Sequence, residues 1–371
     1  MTAALRILYI AYPLLTVSDK SAGGAEQVLW TLERNMFRRR ADTTVAASAG
    51  SRVTGVLFAT GEPCTLPDDY ERRNREHQGQ ILAHVHRRSR QGRGFDLVHD
   101  MSGSFWTRAA AIDVPVLATL HLPRSFYPPR SLQNVPINVS FNCVSQAQAR
   151  TFSDIRGVLG VVSNGIALER FNCPPGPVMD NQSQQRPGLL WLGRVCEEKA
   201  PHLALEIAER AGLPITLAGQ VYPFSYHQKY YEREIAPRLR WSSWATYVSS
   251  PSFEQKRSLL RQAQALLITS LAEETSSLAA MEAATSGTPV IALRRGALTE
   301  IVKEGITGFL VEDVDSAVEA CRSAGEIDRA ACARYARQNF SGAAMADGYS
   351  RLYARIVEAV AQPAPASMNA L

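Results

Sequence analysis

No run in this 371-residue chain approaches the ~20 consecutive apolar residues that a membrane-crossing helix needs, so no such helix is expected. Cysteine is sparse and scattered. Cys64, Cys143, Cys173, Cys196, Cys321 and Cys332 include no C-x-x-C pair. That argues against a zinc ribbon or a disulfide scaffold and leaves small buried hydrophobes as the expected role. A dominant charge is also lacking. The 40 basic and 35 acidic residues leave a net +5, too mild a field to call for nucleic acid. The opening M-T-A-A-L-R-I-L-Y-I-A-Y has no separate basic region and no cleavage site. It reads as a first strand and not a signal peptide, and the expected location is cytoplasmic.

The length is natural for two α/β domains. Short apolar runs at Ala4–Ala11, Thr44–Ala47, Val56–Ala59, Phe95–His99, Pro115–Leu120 and Phe141–Ser145 read as buried parallel strands, with helices between them. Cys173–Gln185, rich in Pro, Gly, Asn and Gln, reads as a linker. Strands then resume at Gly188–Gly193, Pro214–Gly219, Leu266–Ile268, Pro289–Leu293 and Gly308–Val311. The expected division is a first domain over 1–175, a second over 186–340, a last helix near 341–361, and a loose tail over 362–371.

Ligands of open parallel sheets gather at the carboxyl ends of strands. Three places in the first half fit that rule. Ser21-Ala22-Gly23-Gly24-Ala25-Glu26 joins the first strand to a helix, and glycine lets backbone N–H groups come close to an anion. His121 follows the Pro115–Leu120 strand, and His99 ends another. Arginines at 34, 38–40, 72, 73, 75, 87, 88 and 90 form basic clusters, either a solvated face or a contact for an anionic membrane. Asp313-Val314-Asp315 spells D-x-D at a helix start, where N-capping accounts for it without a metal.

The densest stretch is Leu266–Glu300. A strand, a polar loop, the helix-forming run Leu278–Ala284, Gly287 as a stop and a second strand form one compact unit. Such a helix start offers unpaired N–H groups and partial positive charge to a phosphate. Glu274 precedes the helix and Glu282 lies within it. Were both helical, they would stand about 80° apart around the axis and could flank one ligand without forming a pair.

Glu274 and Glu282, followed by Gly287-Thr288-Pro289-Val290-Ile291, Arg295-Gly296 to Glu300, and Gly305-Ile306-Thr307-Gly308-Phe309-Leu310-Val311, resemble the E-x7-E signature of retaining glycosyltransferases of family 4. Arg194 and Lys199 resemble that family's G-R-x-x-x-x-K pair. Val161-Val162-Ser163-Asn164-Gly165-Ile166 resembles its "pNGv" turn. The resemblance implies a GT-B fold, two doubly wound Rossmann-like domains facing across a cleft. It implies transfer of a sugar from a nucleotide-sugar to a glycan, lipid or small-molecule acceptor, without metal or cofactor. UDP-glucose is the first expected donor and a GDP-sugar the second.

Carried onto this chain, the family's donor site comprises Gly23, Gly24, Arg194, Lys199, Gly219, Glu274, Ser276, Ser277, Leu278 and Glu282. His121, Glu274, Arg194 and Lys199 are the expected catalytic set. Arg and Lys suit a diphosphate leaving group. Ala218-Gly219-Gln220 sits where a base could dock. The chain departs from the family at Ala167, where an aspartate usually stands, and at Ala200, usually glycine. It departs again at Thr275-Ser276-Ser277, where the family commonly has Pro-Phe-Gly. The last change motivates one alternative, a non-catalytic GT-B partner subunit. A GT-B nucleotide-sugar epimerase is the other.

Overall fold

Thirteen strands of four to six residues form among the described residues of the computed structural model, which are 4–21, 23–64, 66–171 and 188–361. The expected linker and the 362–371 tail lie outside them. By contact, the chain divides into two units. The first holds 4–144, 148–165 and 342–361; the second holds 145–147, 166–171 and 188–341.

The first unit contains β1 (Arg6–Ile10), β2 (Asp42–Ala47), β3 (Val56–Ala59), β4 (Leu97–Asp100), β5 (Val116–Leu120), β6 (Val139–Cys143) and β7 (Val158–Val161). They pair in the order β3-β2-β1-β4-β5-β6-β7, every neighbour parallel. The second contains β8 (Leu189–Leu192), β9 (Ile215–Gly219), β10 (Ala245–Ser249), β11 (Ala265–Ile268), β12 (Val290–Leu293) and β13 (Gly308–Val311). Their order is β10-β9-β8-β11-β12-β13, again all parallel. Each order reverses direction once, between β1 and β4 and between β8 and β11. In doubly wound sheets that reversal opens a crevice beyond the strands' carboxyl ends.

Two strands escape the sequence patterns. β10 is an edge strand, flanked by serines and half exposed, so its residues A-T-Y-V-S carry no clean apolar run. β7 is half exposed and ends where the Asn-Gly turn begins. Between β9 and β10 two short helices, Ser225–Tyr230 and Ala236–Trp241, are separated by a π turn at Tyr231–Ile235.

The last helix, Gly342–Ala361, belongs to the first unit and is held there by a buried polar chain. The Tyr353 hydroxyl lies 2.7 Å from His99 Nδ1, and Thr119 Oγ1 lies 2.7 Å from His99 Nε2. Tyr349 OH meets Thr119 Oγ1 at 3.0 Å and accepts from Asn142 Nδ2 at 3.2 Å. The His99 and Tyr349 rings stand 4.9 Å apart. His99 is fully buried with both nitrogens engaged, so the strand-end reading does not hold for it; burial holds its imidazole neutral. Satisfied buried networks fix one arrangement, and breaking them leaves orphaned partners. Tyr349→Phe removes one hydroxyl and with it one hydrogen bond from each of Thr119 and Asn142. We expect it to cost about 1–3 kcal/mol, read as a lower denaturant midpoint with an unchanged slope. An unshifted midpoint would show that the chain of hydroxyls does not anchor the helix.

Candidate active site

The reversal between β8 and β11 draws the second unit's expected residues together. The loop leaving β8 carries Arg194 and Lys199, and the loop leaving β11 carries Glu274. Backbone bonds join the two loops. Leu271 N donates to Glu198 O (2.8 Å), and Thr269 Oγ1 donates to Lys199 O (3.1 Å) and Ala200 O (2.8 Å). Lys199 Nζ then forms an ion pair with Glu274 Oε1, which also accepts from Ser270 Oγ. The glutamate is the deeper partner, its side chain 9% exposed against 33% for the lysine.

Close backbone approach explains two glycines. A Cβ on Gly219, at the end of β9, would stand 1.7 Å from Gly193 O. Gly296 has φ +49°, and a Cβ there would lie 2.4 Å from Glu274 O. Ala297 N donates to that carbonyl at 2.7 Å, so the Arg295-Gly296 turn braces the glutamate from behind. Ala200 also adopts a left-handed conformation, φ +45°, which accounts for glycine being usual there in the resembling family.

Glu274 lies in a loop, so the helical angle between the two glutamates does not arise; the helix runs Leu278–Thr285 with Ser277 as its N-cap. Ser277 Oγ accepts from Ala280 N. The N–H groups of Leu278 and Ala279 have no protein acceptor among the described residues. Ser277 has φ −131° and ψ 96°, extended backbone open to any residue, so replacing the usual glycine imposes no strain. Ser276 Oγ is buried without a protein partner among the described residues.

Glu282 is 3% exposed and bonds Lys256 Nζ at 2.6 Å. Lys256 comes from the Phe253–Gln262 helix. Nothing in the sequence marked it, because a partner 26 residues away leaves no spacing signal. Arg194 is exposed, its guanidinium 5.7 Å from the centre of the Tyr222 ring. The D-x-D residues are occupied structurally. Asp313 caps the Val314–Ser323 helix through Ser316, and Asp315 pairs with Arg210.

Gly23, Gly24 and His121 belong to the first unit, at the ends of β1 and β5. Gly23 is the N-cap of the Gly24–Arg38 helix. The side chain of Glu26 folds back over it; a Cβ on Gly23 would stand 2.0 Å from Glu26 Oε2. The helix's own carboxyl therefore occupies the place where an anion was expected. Burial raises this carboxyl to about 7. His121 is half-buried, and burial lowers its imidazole to about 4, so it is neutral at pH 7. At the end of β4, buried Asp100 accepts from Ser102 N, Ser102 Oγ and Trp106 N at 2.6–2.8 Å and shapes the adjoining loop. Several arginines of the basic clusters serve the fold. Arg73 Nε donates to Glu62 O, Arg72 bridges Asp69 and Glu76, and Arg39 pairs with Asp347. No helix among the described residues is long and apolar enough to cross a membrane.

Residues 186–325, which contain all of the second unit's expected site residues, match the sequence model of a family described as "Glycosyl transferases group 1". A D-inositol 3-phosphate glycosyltransferase of Streptomyces avermitilis is 29% identical over 187 residues, 46% of this chain and 39% of that protein. A lipopolysaccharide 1,2-N-acetylglucosaminetransferase of Salmonella typhimurium is 24% identical over 214 residues, 53% of this chain and 54% of that protein. The chain thus aligns with two-fifths to about half of the length of these relatives. Among solved structures, a sucrose-phosphate synthase from Thermosynechococcus elongatus superposes with a TM-score of 0.76 at 17% identity, covering 96% of this chain and all of that one. Anabaena HepE in complex with UDP-glucose gives 0.70 at 16%, covering 95% and 100%. At these identities the likeness is one of fold, and the fold is GT-B.

The raised Glu26 carboxyl has a thermodynamic consequence. It binds its proton more tightly folded than unfolded, so its stabilising contribution is whole below pH 4.5 and is lost as pH rises through 7. A shift from 4.5 to about 7 corresponds to at most about 3 kcal/mol. Glu26→Gln cannot ionise. Its stability relative to the wild type is expected to rise between pH 5 and 8.5 by up to that amount, measured by denaturant unfolding. A difference that stays flat across that range contradicts the buried, raised carboxyl.

Proposed function

We propose that the chain is a retaining glycosyltransferase that takes a sugar from a nucleotide-sugar, binds the donor's diphosphate in the second unit, and needs no metal for the transfer. One observation carries this reading: at the β8/β11 reversal, Lys199, Glu274 and a helix N-terminus with two unpaired N–H groups share one set of loops. The chemistry needs that combination. A departing nucleoside diphosphate gains charge while the anomeric carbon becomes cationic, and preorganised donors aimed at the leaving oxygen lower the barrier most. Arg194 and Lys199 supply full charges there. The N–H groups of Leu278 and Ala279 add the partial charge of the helix start.

The remaining roles are those the family resemblance implies. Glu274 accepts from hydroxyls of the transferred sugar, and Glu282 accepts from the ribose. Each already holds a lysine, which lowers the repulsion that a bare carboxylate would exert on the diphosphate. Gly219 leaves room for the base at the end of β9. His121, neutral at pH 7, orients the sugar by hydrogen bonding. Gly23 and Gly24 border the acceptor side of the reaction, with Glu26 beside them. UDP-glucose is the first donor to test, because Anabaena HepE, a fold neighbour, was crystallised with it. The two partial relatives favour a polyol, lipid or glycan acceptor.

Calorimetry with UDP, GDP and their sugars tests the donor site. Lys199→Ala and Glu282→Ala are expected to weaken binding by about 1.5–3 kcal/mol, roughly 10- to 150-fold, since each removes a charge-assisted contact. His121→Ala is expected to leave donor affinity near the wild type and to lower turnover. NMR of the product should show the donor's anomeric configuration kept. Unchanged affinity and rate in all three variants would sink the site assignment. Absence of any nucleotide binding would favour the non-catalytic partner subunit, and turnover of the donor without an acceptor would favour an epimerase.

A further inference from the structure

Beside the proposed donor loops lies a second cluster that the sugar chemistry does not use. Cys196 and Glu198 sit two apart in the loop leaving β8, and His227 lies on the Ser225–Tyr230 helix. One ligand atom from each falls within 4.8 Å of the others. Cys196 and His227 are completely buried. Both ring nitrogens of His227 are buried without a hydrogen-bond partner among the described residues, and so is Glu198 Oε2. Buried polar atoms almost always find partners, so three orphans in one small cluster point to a missing one.

We propose that Cys196, Glu198 and His227 form a binding site for a zinc(II) ion, three protein ligands with the fourth position left to water. The set is mixed in a way that selects this metal: one thiolate, one imidazole nitrogen and one carboxylate oxygen, the soft-to-borderline ligands that zinc accepts in tetrahedral geometry. Bonds of about 2.0–2.3 Å at the tetrahedral angle put neighbouring ligand atoms about 3.3–3.8 Å apart, so the cluster needs only a small contraction. Charge also balances. A thiolate and a carboxylate neutralise the divalent ion, and Arg194, whose neighbours include Cys196 and Glu198, then faces a neutral centre.

The surroundings shield the histidine side of the site. Rings of Tyr226 and Phe224 stand 4.2 and 5.3 Å from His227, centre to centre, and exclude solvent from one side. Such an apolar shell strengthens coordination and slows exchange. The ion would clip the helix to the loop that carries Arg194 and Lys199. It is distinct from any counter-ion of a diphosphate, and its presence does not depend on the proposed reaction. Nothing in the sequence spacing announced it, because the histidine comes 29 positions after Glu198, outside familiar zinc motifs.

The test uses the full chain without a polyhistidine tag, stripped with a chelator and titrated with zinc against a chromophoric competitor. One equivalent should bind. Cys196→Ser and His227→Gln should each weaken binding by about 100-fold or more, beyond what loss of an outer-shell partner costs, while Cys64→Ser and His202→Gln bind as the wild type does. Cobalt(II) in place of zinc should give a sulfur-to-metal charge-transfer absorption, absent from Cys196→Ser. Where a variant fails to fold, alkylation of Cys196 in the wild type serves instead: zinc should slow it, mapped by mass spectrometry. Stoichiometric binding that survives Cys196→Ser, or no cobalt–sulfur band together with unaltered alkylation of Cys196, overturns the site.

Discussion

Parallel pairing is the constraint on which the rest depends. Because every strand in each sheet points the same way, all carboxyl ends open on one edge, and every loop there competes for the same space. Where the strand order reverses, doubly wound sheets open a crevice beyond the carboxyl ends, which here are those of β8 and β11. The loops leaving them carry Arg194, Lys199 and Glu274. The close contact of Gly219 with Gly193 and of Gly296 with Glu274 shows how tightly backbone fills this edge.

The charges at this edge are arranged in pairs. Lys199 holds Glu274 and Lys256 holds Glu282, and both glutamates are largely buried. A buried ion pair adds little net stability, since desolvation offsets most of the attraction. What it does provide is a fixed position for each carboxylate and a local charge near zero. An anionic ligand can then approach a helix N-terminus without repulsion from the acidic residues beside it.

The first unit solves a different problem with the same physics. Its last helix is joined to the sheet through hydroxyls and one imidazole, not through apolar contacts alone. Glu26 stays inside by holding its proton, which trades an ionic cost for a pH-dependent one. Buried Glu33 takes the other route. It accepts from Thr43 Oγ1, Thr54 N and Gly55 N, and so fixes the turn between β2 and β3.

Local chemistry alone determined much of this protein. Aliphatic runs of period-free character marked the buried parallel strands, and strand–loop–helix alternation marked two doubly wound sheets. The polar break before Leu278 marked a helix start that could meet an anion. Asp313 was legible as a cap because capping is decided within four residues. Tertiary structure alone decided the rest, because the deciding contacts join residues far apart in the chain. His99 and His121 look alike as strand-end histidines, yet only the helix carrying Tyr353 separates their roles. Ser277 in place of glycine mattered less than its identity suggested, since its backbone is extended. Lys256 beside Glu282, Glu26 over Gly23, and the meeting of Cys196 with His227 have no one-dimensional trace. Spacing records what a helix or strand brings together, and these partners come together only when separate elements pack.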